Sequence, residues 1–347
     1  MPERIVELAK TVGVIANQKV AGIKRINAHA HLLALNAQIE SARAGAAGAG
    51  FGVVAKEVKT ISREIEGLTT ELTEQLQPRL VELHQHGQRL VATVRGTRLA
   101  DLALNLIEII DRNLYERSCD VRWWATDSAV VAACADPSAQ SGEFASRRLG
   151  VILDSYTVYA DLVVCNLAGE VMAHGRPGKY PQMDHAMLAG MSWFRDALAT
   201  EDGTGFTVAD IAPARELGGQ LVATYATAIR ERGENKGRPI GVLGIMFDWD
   251  TQAQAVVDGV RLSPEERGLT RALIVDAQHR VLAASDRVGV LKEILAVETR
   301  EHQLGHYETK DGNVIGFALT PGYETYRGLG WFGVLVQKRD RINGAGP

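Results

Sequence analysis

Hydrophobic residues recur at alternating three- and four-residue steps along two stretches near the start of the chain. The first stretch carries Ile5, Leu8, Val12, Ile15, Ile23 and Ile26 and is broken once, by Lys19 and Gly22. The second carries Phe51, Val54, Val58, Ile61, Ile65, Leu68, Leu72 and Leu76. This heptad-like spacing predicts two helices, each with one apolar face. Two helices with one such face each cannot bury it fully by themselves. We therefore expect residues 2–76 to form a homodimer, as an antiparallel four-helix bundle.

The segment between the two stretches predicts a reversal of the chain. Residues 32–43 consist largely of strong helix formers, whereas Gly45, Gly48 and Gly50 supply the backbone freedom that a tight turn requires. The two helices should therefore form a hairpin.

A helical pattern continues beyond this hairpin. Pro78 lies inside the second arm, and an interior proline removes a backbone donor and clashes with the preceding turn, so a kink or break is expected there. Residues 79–117 resume the apolar periodicity. We expect that helix to run to about Cys134 and to end at residues 136–138.

From about Gly142 the pattern changes to short runs rich in Val, Ile, Tyr and Thr, separated by turns that contain glycine. The predicted strands are residues 159–165, 171–174, 206–211, 221–229, 239–247, 273–276, 280–283, 314–319 and 331–336. Asp248 should begin a helix after the fifth of these, because its carboxylate can accept hydrogen bonds from free backbone amides. The fold class is therefore α+β, with a helical hairpin, a long helix and two similar sheet-and-helix units.

Composition limits the functions that remain. The chain has 347 residues, of which 46% are hydrophobic and 23% are charged, as in folded proteins of two or three domains. A formal net charge of -4 provides no basic surface for nucleic acid. No apolar run approaches the roughly 20 residues that span a bilayer, so a cytoplasmic location is expected. Cys119, Cys134 and Cys165 lack CxxC spacing and are expected to be free thiols.

The string LLALNAQIESARAGAAGAGFGVVAKEVKTIS at residues 32–62 resembles the signalling tip of methyl-accepting chemotaxis receptors. The resemblance implies that the tip contacts a chemotaxis histidine kinase and its coupling adaptor. It also implies that Asn36, Glu40 and Arg43 form such contacts, together with Val53 and Val54.

Several positions of the tip depart from the family pattern. The family's Gln-Thr-Asn is replaced by residues 29–31, His-Ala-His, and the acid and arginine of its turn are replaced by Ala46 and Ala49. Two interpretations follow from the resemblance. The chain is either a working chemoreceptor-like transducer or a diverged adaptor that does not activate a kinase.

Residues 112–338 resemble a double Cache sensor, a PAS-like module of chemoreceptors. The resemblance depends on the order of elements, on the hairpins NLAGEVMAH at 166–174 and VDAQHRVLAAS at 275–285, and on GVLGIMFDW at 241–249. It implies four parts of the chain. These are the signalling hairpin at 1–92, a connecting helix at 93–144, and two PAS-like subdomains at 145–260 and 261–347.

The same resemblance implies a ligand pocket in residues 145–260, between the sheet and residues 180–197. Trp193 matches a family tryptophan and Asp210 a family acid, whereas Met191 replaces the family's arginine and Met246 its second acid. Without that arginine an amino acid is a poor candidate, and an amine or a nucleobase-like molecule fits better. The predicted ligand-binding residues are Tyr180, Asp184, Trp193, Phe194, Asp210 and Met246. The alternative is that these aromatics only fill the core.

Catalytic and metal-binding patterns are weak in this sequence. It contains no GxSxG, P-loop, HExxH or Rossmann fingerprint, so we expect no enzyme activity and no cofactor. His29 and His31 diverge around a helix and cannot share a metal ion, and the same holds for His84 and His86. An enzyme that uses the sensor pocket is the alternative from a different class.

Overall fold

A computed structural model describes residues 2–338. The chain divides into two compact units, residues 1–95 and residues 96–347. The side chain of Ile5 and residues 339–347, which end the predicted 261–347 subdomain, lie outside the described part. The division falls within a single long helix, Ala49–Trp124.

The first unit is the predicted helical hairpin. Helix α1 spans Pro2–Arg43, a 3-10 turn spans Gly45–Gly48, and helix α2 begins at Ala49. Gly45 has a φ of 60°, a left-handed conformation that glycine adopts without strain. The hydroxyl of Ser41 donates a hydrogen bond of 2.6 Å to the carbonyl of Gly48, which closes the turn.

Small and polar residues line the contact between the two arms. Ala9, Ala34 and Ala55 are buried there, and the amide of Asn27 donates to the carbonyl of Ser62 at 2.7 Å. Large apolar side chains of the predicted faces are instead exposed on the single hairpin, namely Leu8, Val12, Ile15, Ile23, Ile26, Phe51, Val54, Ile61, Leu68 and Leu72. The apolar faces therefore remain open to a partner.

Helix α2 spans Ala49–Trp124 and differs from the prediction at two places. It continues through Pro78, so the expected break is wrong. Pro78 is exposed, and water can bind the carbonyl that the proline leaves without a donor. The helix also ends at Trp124 instead of near Cys134, because Asp127 adopts an extended conformation and caps a separate helix through a 2.8 Å bond from the Ala129 amide.

Two helices follow α2 on the way to the first sheet. Helix α3 spans Ser128–Ala135 and helix α4 spans Ala139–Ser155. The sequence did not predict α4, which begins with a capping box between Ser138 and Ser141. Its buried face packs on the sheet, where Leu149 and Leu153 approach Gly175.

The first sheet is antiparallel and contains six strands. They are β1 Tyr159–Asn166, β2 Val171–His174, β3 Thr207–Val208, β4 Ala212–Ala214, β5 Gln220–Arg230 and β6 Pro239–Asp248. Their order is β2-β1-β6-β5-β3, and β4 also pairs with β5. The predicted strand 206–211 is reduced to the two residues of β3. Helix α5, Ser192–Leu198, covers this sheet.

The second sheet is antiparallel and contains five strands. After helices α6 Trp249–Asp258 and α7 Pro264–Arg267 come β7 Thr270–Val275, β8 Val281–Ala284, β9 Leu304–Glu308, β10 Val314–Leu319 and β11 Phe332–Gln337. Their order is β8-β7-β11-β10-β9, and β9 was not predicted. Asp248 caps α6 as expected, accepting a hydrogen bond from the Thr251 amide. The α+β class is confirmed.

Helix α2 packs directly on the second sheet. Gly316 on β10 and Gly333 on β11 face the helix backbone at Leu99 and Ala103, where a Cβ on either glycine would overlap backbone atoms. Further along α2, Arg117 is buried over the rings of Tyr159 and Phe247, at 5.0 and 5.4 Å from their centroids. The C-terminal part of α2 therefore belongs to the core of the second unit.

Candidate functional site

The predicted signalling residues surround the hairpin turn and are exposed. Glu40 and Arg43 form an ion pair at 2.8 Å, with 68% and 74% of their side chains accessible. Such an exposed pair adds little stability and is available to a partner. Asn36 is also exposed.

Apolar side chains are concentrated at the same tip. Val53, Val54 and Phe51 are 70%, 60% and 75% exposed at the start of α2, and Leu33 is 70% exposed on α1. A patch of large apolar residues in contact with water is characteristic of an interaction surface. The tip therefore has the composition of a protein-binding site.

Four of the six predicted ligand-binding residues lie together. Tyr180, Trp193, Phe194 and Met246 are buried in one hydrophobic cluster against the first sheet. The rings of Trp193 and Phe194 meet edge to face with centroids 6.2 Å apart. The indole of Trp193 lies over Gly244, where a Cβ would come within 3.1 Å of it.

The two predicted acids have other partners. Asp210 pairs with Arg280 at 2.7 Å, and 65% of its side chain is exposed. Asp184 is half-exposed and lies 3.0 Å from the Nε2 atom of His174. The carboxylates expected beside the aromatic rings are thus engaged by a guanidinium and by an imidazole.

A buried histidine between two carboxylates was missed by the sequence analysis. His174, at the end of β2, places Nδ1 2.7 Å from Asp161 Oδ2 and Nε2 3.0 Å from Asp184 Oδ1. The amides of Leu162 and Gly175 donate to Asp161 Oδ1 at 2.8 and 2.9 Å. Because each ring nitrogen faces a carboxylate, the arrangement favours the doubly protonated imidazolium. His174 and Asp184 line an open cavity of about 710 Å³.

The environment of His174 predicts a pH-dependent stability. Burial alone would lower the pKa of His174, but the hydrogen bonds and charges of Asp161 and Asp184 outweigh it and raise the pKa above the ordinary 6.5. The stabilisation that protonated His174 gives the folded state is therefore complete at pH values below the ordinary pKa of histidine. It is lost as the pH rises through the raised pKa of His174. We expect the free energy of unfolding to fall by at most about 1.4 kcal/mol per pH unit there.

Urea unfolding at several pH values would measure this loss. Tryptophan fluorescence reports on the second unit alone, because the five tryptophans are Trp123, Trp124, Trp193, Trp249 and Trp331. His174→Asn should remove this pH dependence of the free energy of unfolding. His279→Asn is the matched control, since His279 accepts a hydrogen bond from the Val297 amide. An equal pH dependence in the wild type and in His174→Asn would contradict the assignment.

Within the described residues 2–338, no helix is both long and apolar enough to cross a bilayer. Within the same residues, no group of three or more His, Cys, Asp and Glu side chains is placed to hold a metal ion.

The hairpin matches a known signalling domain. Residues 3–114 match the family model described as the methyl-accepting chemotaxis protein (MCP) signalling domain. A similar relative is the methyl-accepting chemotaxis protein PctB of Pseudomonas aeruginosa, 38% identical over 104 residues, which are 30% of this chain. This chain covers 15% of the length of that receptor. Residues 3–114 are thus similar to an MCP signalling domain, and this part of the predicted resemblance is confirmed.

The remainder of the chain has the fold of receptor sensor domains. The ligand-binding domain of the P. aeruginosa amino acid chemoreceptor PctC, solved with GABA, has a TM-score of 0.51 and 17% identity, covering 70% of this chain and 98% of that one. The sensory domain of the Campylobacter jejuni chemoreceptor Tlp3 has a TM-score of 0.51 and 16% identity, covering 71% and 94%. Identities this low establish similarity of fold alone.

Proposed function

We propose that this protein is a chemoreceptor-like signal transducer. A small molecule bound by the sheet-containing unit would change the hairpin tip, which contacts a chemotaxis histidine kinase and its coupling adaptor. The observation that carries the proposal is the MCP signalling domain at residues 3–114, followed by a unit with the fold of chemoreceptor ligand-binding domains. Because the kinase is a cytoplasmic partner, we place the hairpin in the cytoplasm.

The exposed tip supports the kinase and adaptor contacts. Val53 and Val54 offer apolar surface, and the ion pair of Glu40 and Arg43 offers both charges beside it. An apolar centre with a charged rim is the usual composition of a specific protein interface. Asn36 extends this surface along α1.

The exposed apolar faces support a homodimer. Val54, Ile61 and Leu68 are spaced by seven residues and are 60%, 47% and 66% exposed in the single chain. Side chains at this spacing lie on one stripe of a helix and pack well against a second copy. We propose the antiparallel four-helix bundle as the form in which they become buried.

The cluster around Trp193 is the proposed ligand site, in the first of the two proposed PAS-like subdomains. Its indole fills the space above Gly244, so a flat amine or nucleobase-like ligand that stacks there must displace it. Such a displacement would move α5 and would be the structural response to the ligand. The ligand can shift the equilibrium between the original and the displaced position of Trp193 only by as much as its affinities for the two positions differ.

Helix α2 is the proposed connection between ligand and tip. It runs without interruption over Ala49–Trp124 and contributes residues both to the hairpin and to the core of the sheet-containing unit. A change in the packing of its C-terminal part can therefore alter the hairpin without any additional element.

A diverged adaptor is the second candidate function. Ala46 and Ala49 in the turn replace an acid and an arginine of the resembled family, and no charged side chain takes their place in the turn residues 45–49. A diverged protein of this kind would bind the chemotaxis coupling adaptor without changing the activity of the kinase. The two candidates therefore differ in kinase activation and agree on binding.

Adaptor binding tests the part that both candidates share. Interferometry with immobilised chemotaxis adaptor should detect the full chain, and Val53→Asp should weaken binding about tenfold or more, because a charge would be buried without a partner. Val151→Asp is the matched control, since Val151 is 57% exposed on α4. Absence of binding by the wild type, or equal binding by Val53→Asp, would overturn the proposed contact.

A further inference from the structure

A cavity of about 220 Å³ lies at the C-terminal end of α2. Its walls include Arg122 from the last turn of α2, Thr126 from the turn before α3, Arg230 at the end of β5, and Asn235 from the connection between β5 and β6. None of the six residues predicted to bind ligand lines it. The cavity is thus separate from the cluster around Trp193.

Arg230 is a buried cation without a counter-ion. Only 5% of the residue is exposed, and its guanidinium donates to the carbonyls of Gly237 and Thr200. Its Nε atom is buried and has no hydrogen-bond partner. Within residues 2–338 no carboxylate forms an ion pair with it. A buried charge with an unsatisfied donor is costly unless a ligand or ion completes it.

Arg122 brings a second guanidinium to the same cavity. Its Nε atom donates to the Ser118 carbonyl at 2.7 Å, and its guanidinium carbon lies 5.5 Å from the centre of the Phe206 ring. Among the described residues it also forms no ion pair with a carboxylate. These contacts fix the side chain at the wall and leave its charge unneutralised.

The acids near the cavity are directed elsewhere. Hydrogen bonds from the Thr204 hydroxyl and amide lower the pKa of Asp202, and the charges of Arg230 and Lys236 contribute less. Glu234 lines the cavity without an ion pair to either arginine in the described residues. Two arginines therefore line a cavity where, among the described residues, no carboxylate of the protein forms an ion pair with either of them.

We propose that this cavity binds a small dicarboxylate. Charge-assisted hydrogen bonds to carboxylates are strong, so the unpartnered Nε of Arg230 and the guanidinium of Arg122 can each hold one end of such a ligand. Ala125 and Ala228 provide apolar wall for a short carbon chain between the ends. The volume is below the roughly 300 Å³ at which drug-sized pockets begin, which favours a ligand of a few carbons.

The cavity lies between the C-terminal end of α2 and the first sheet, so a bound ligand would contact both. Arg122 and Thr126 belong to the end of α2 and its following turn, whereas Arg230 belongs to β5. A ligand that bridges them would fasten the end of the helix to the first sheet. This inference does not depend on the function of the hairpin, because every residue involved lies in the unit of residues 96–347.

Calorimetric titration of the full chain with malonate, succinate and inorganic phosphate tests the proposal. We expect malonate or succinate to bind, and Arg122→Gln to weaken that binding about tenfold or more by removing one charge-assisted contact. Arg112→Gln is the matched control, because Arg112 also lies on α2 and stacks over an aromatic ring, at 5.2 Å from Tyr323. This control should bind as the wild type does.

Three results would overturn the proposal. They are no binding of either dicarboxylate, binding of phosphate alone, and equal dicarboxylate affinity in the wild type and Arg122→Gln. If Arg122→Gln no longer shows a cooperative unfolding transition by tryptophan fluorescence, Arg230→Lys takes its place in the titration. Lysine keeps the positive charge but lacks the Nε donor of Arg230. Arg230→Lys should then also weaken binding about tenfold, and unchanged affinity would contradict the site. Adaptor binding by Arg122→Gln should persist, which separates this test from that of the hairpin.

Discussion

Replacing Ile61 and Leu68 together by aspartate is expected to convert a dimer into a monomer. Both side chains are exposed in the single hairpin, at 47% and 66%, and lie on the stripe that the proposed four-helix bundle would bury. Two carboxylates buried without partners would each cost several kcal/mol, which raises the dissociation constant of the dimer by about a thousandfold or more. Light scattering at micromolar concentration would show the change in mass.

A second double variant separates dimer loss from general damage. Val151 and Leu167 are 57% and 55% exposed in the other unit, so Val151→Asp with Leu167→Asp adds the same charge on similar surface. This control should remain dimeric, and both variants should keep the wild-type helical circular dichroism. A wild-type protein that scatters as a monomer would remove the basis for the bundle.

Replacing Gly316 by valine is expected to destabilise the unit of residues 96–347 by roughly 3 kcal/mol or more. A Cβ at Gly316 would overlap the α2 backbone at Leu99 and Ala100, which no change of rotamer relieves. The helix and β10 would have to separate, although valine itself favours a strand. Urea unfolding followed by tryptophan fluorescence would measure the loss.

Two further glycine substitutions show whether the loss of stability comes from the contact between α2 and the second sheet. Gly333→Val on β11 should cause a similar loss, because its Cβ would overlap the Ala103 carbonyl of the same helix. Gly268→Val should cost far less, since nothing lies within 4 Å of a Cβ there. Similar stabilities for Gly316→Val and Gly268→Val would mean that α2 does not pack on the second sheet as described.

The sequence contains strong signals for the hairpin and for most strands. Glycines at residues 45–50 separate two heptad patterns. Short runs rich in Val and Ile on either side of the turns at residues 166–169 and 277–279 predicted the two hairpins β1–β2 and β7–β8. Helix α4 was missed because Gly142 and Gly150 and several serines weaken its local propensity. Tertiary packing of Ala145, Leu149 and Leu153 compensates for that weakness. Its detectable signal was the capping serine, Ser138.

The end of α2 and the histidine site depend on information that local patterns do not contain. Residues 125–135 contain five alanines, the strongest helix former, and neither glycine nor proline, so a continuous helix was the simplest prediction. The capping side chain of Asp127 marks the break. Asp161 and His174 are thirteen residues apart and meet because β1 and β2 pair antiparallel. A lone histidine in a strand pattern gives no indication of such partners.

The packing around Trp193 was predicted in part. The aromatic residues Trp193 and Phe194 pack together against β6 as expected, since large apolar side chains in a helix over a sheet must be buried. Asp210 instead binds Arg280, seventy residues away. Side-chain ion pairs between distant segments depend on the final packing, which the sequence alone does not specify.

The rate of autophosphorylation of a chemotaxis histidine kinase, measured in the presence of its adaptor, shows whether this chain transmits a signal. Adding the protein is expected to change this rate, Val53→Asp is expected to abolish the change, and Val151→Asp is expected to retain it. Adaptor binding without any change in the rate would instead identify a diverged adaptor. A rate that is the same with and without the protein would therefore contradict the proposal that this chain is a working signal transducer.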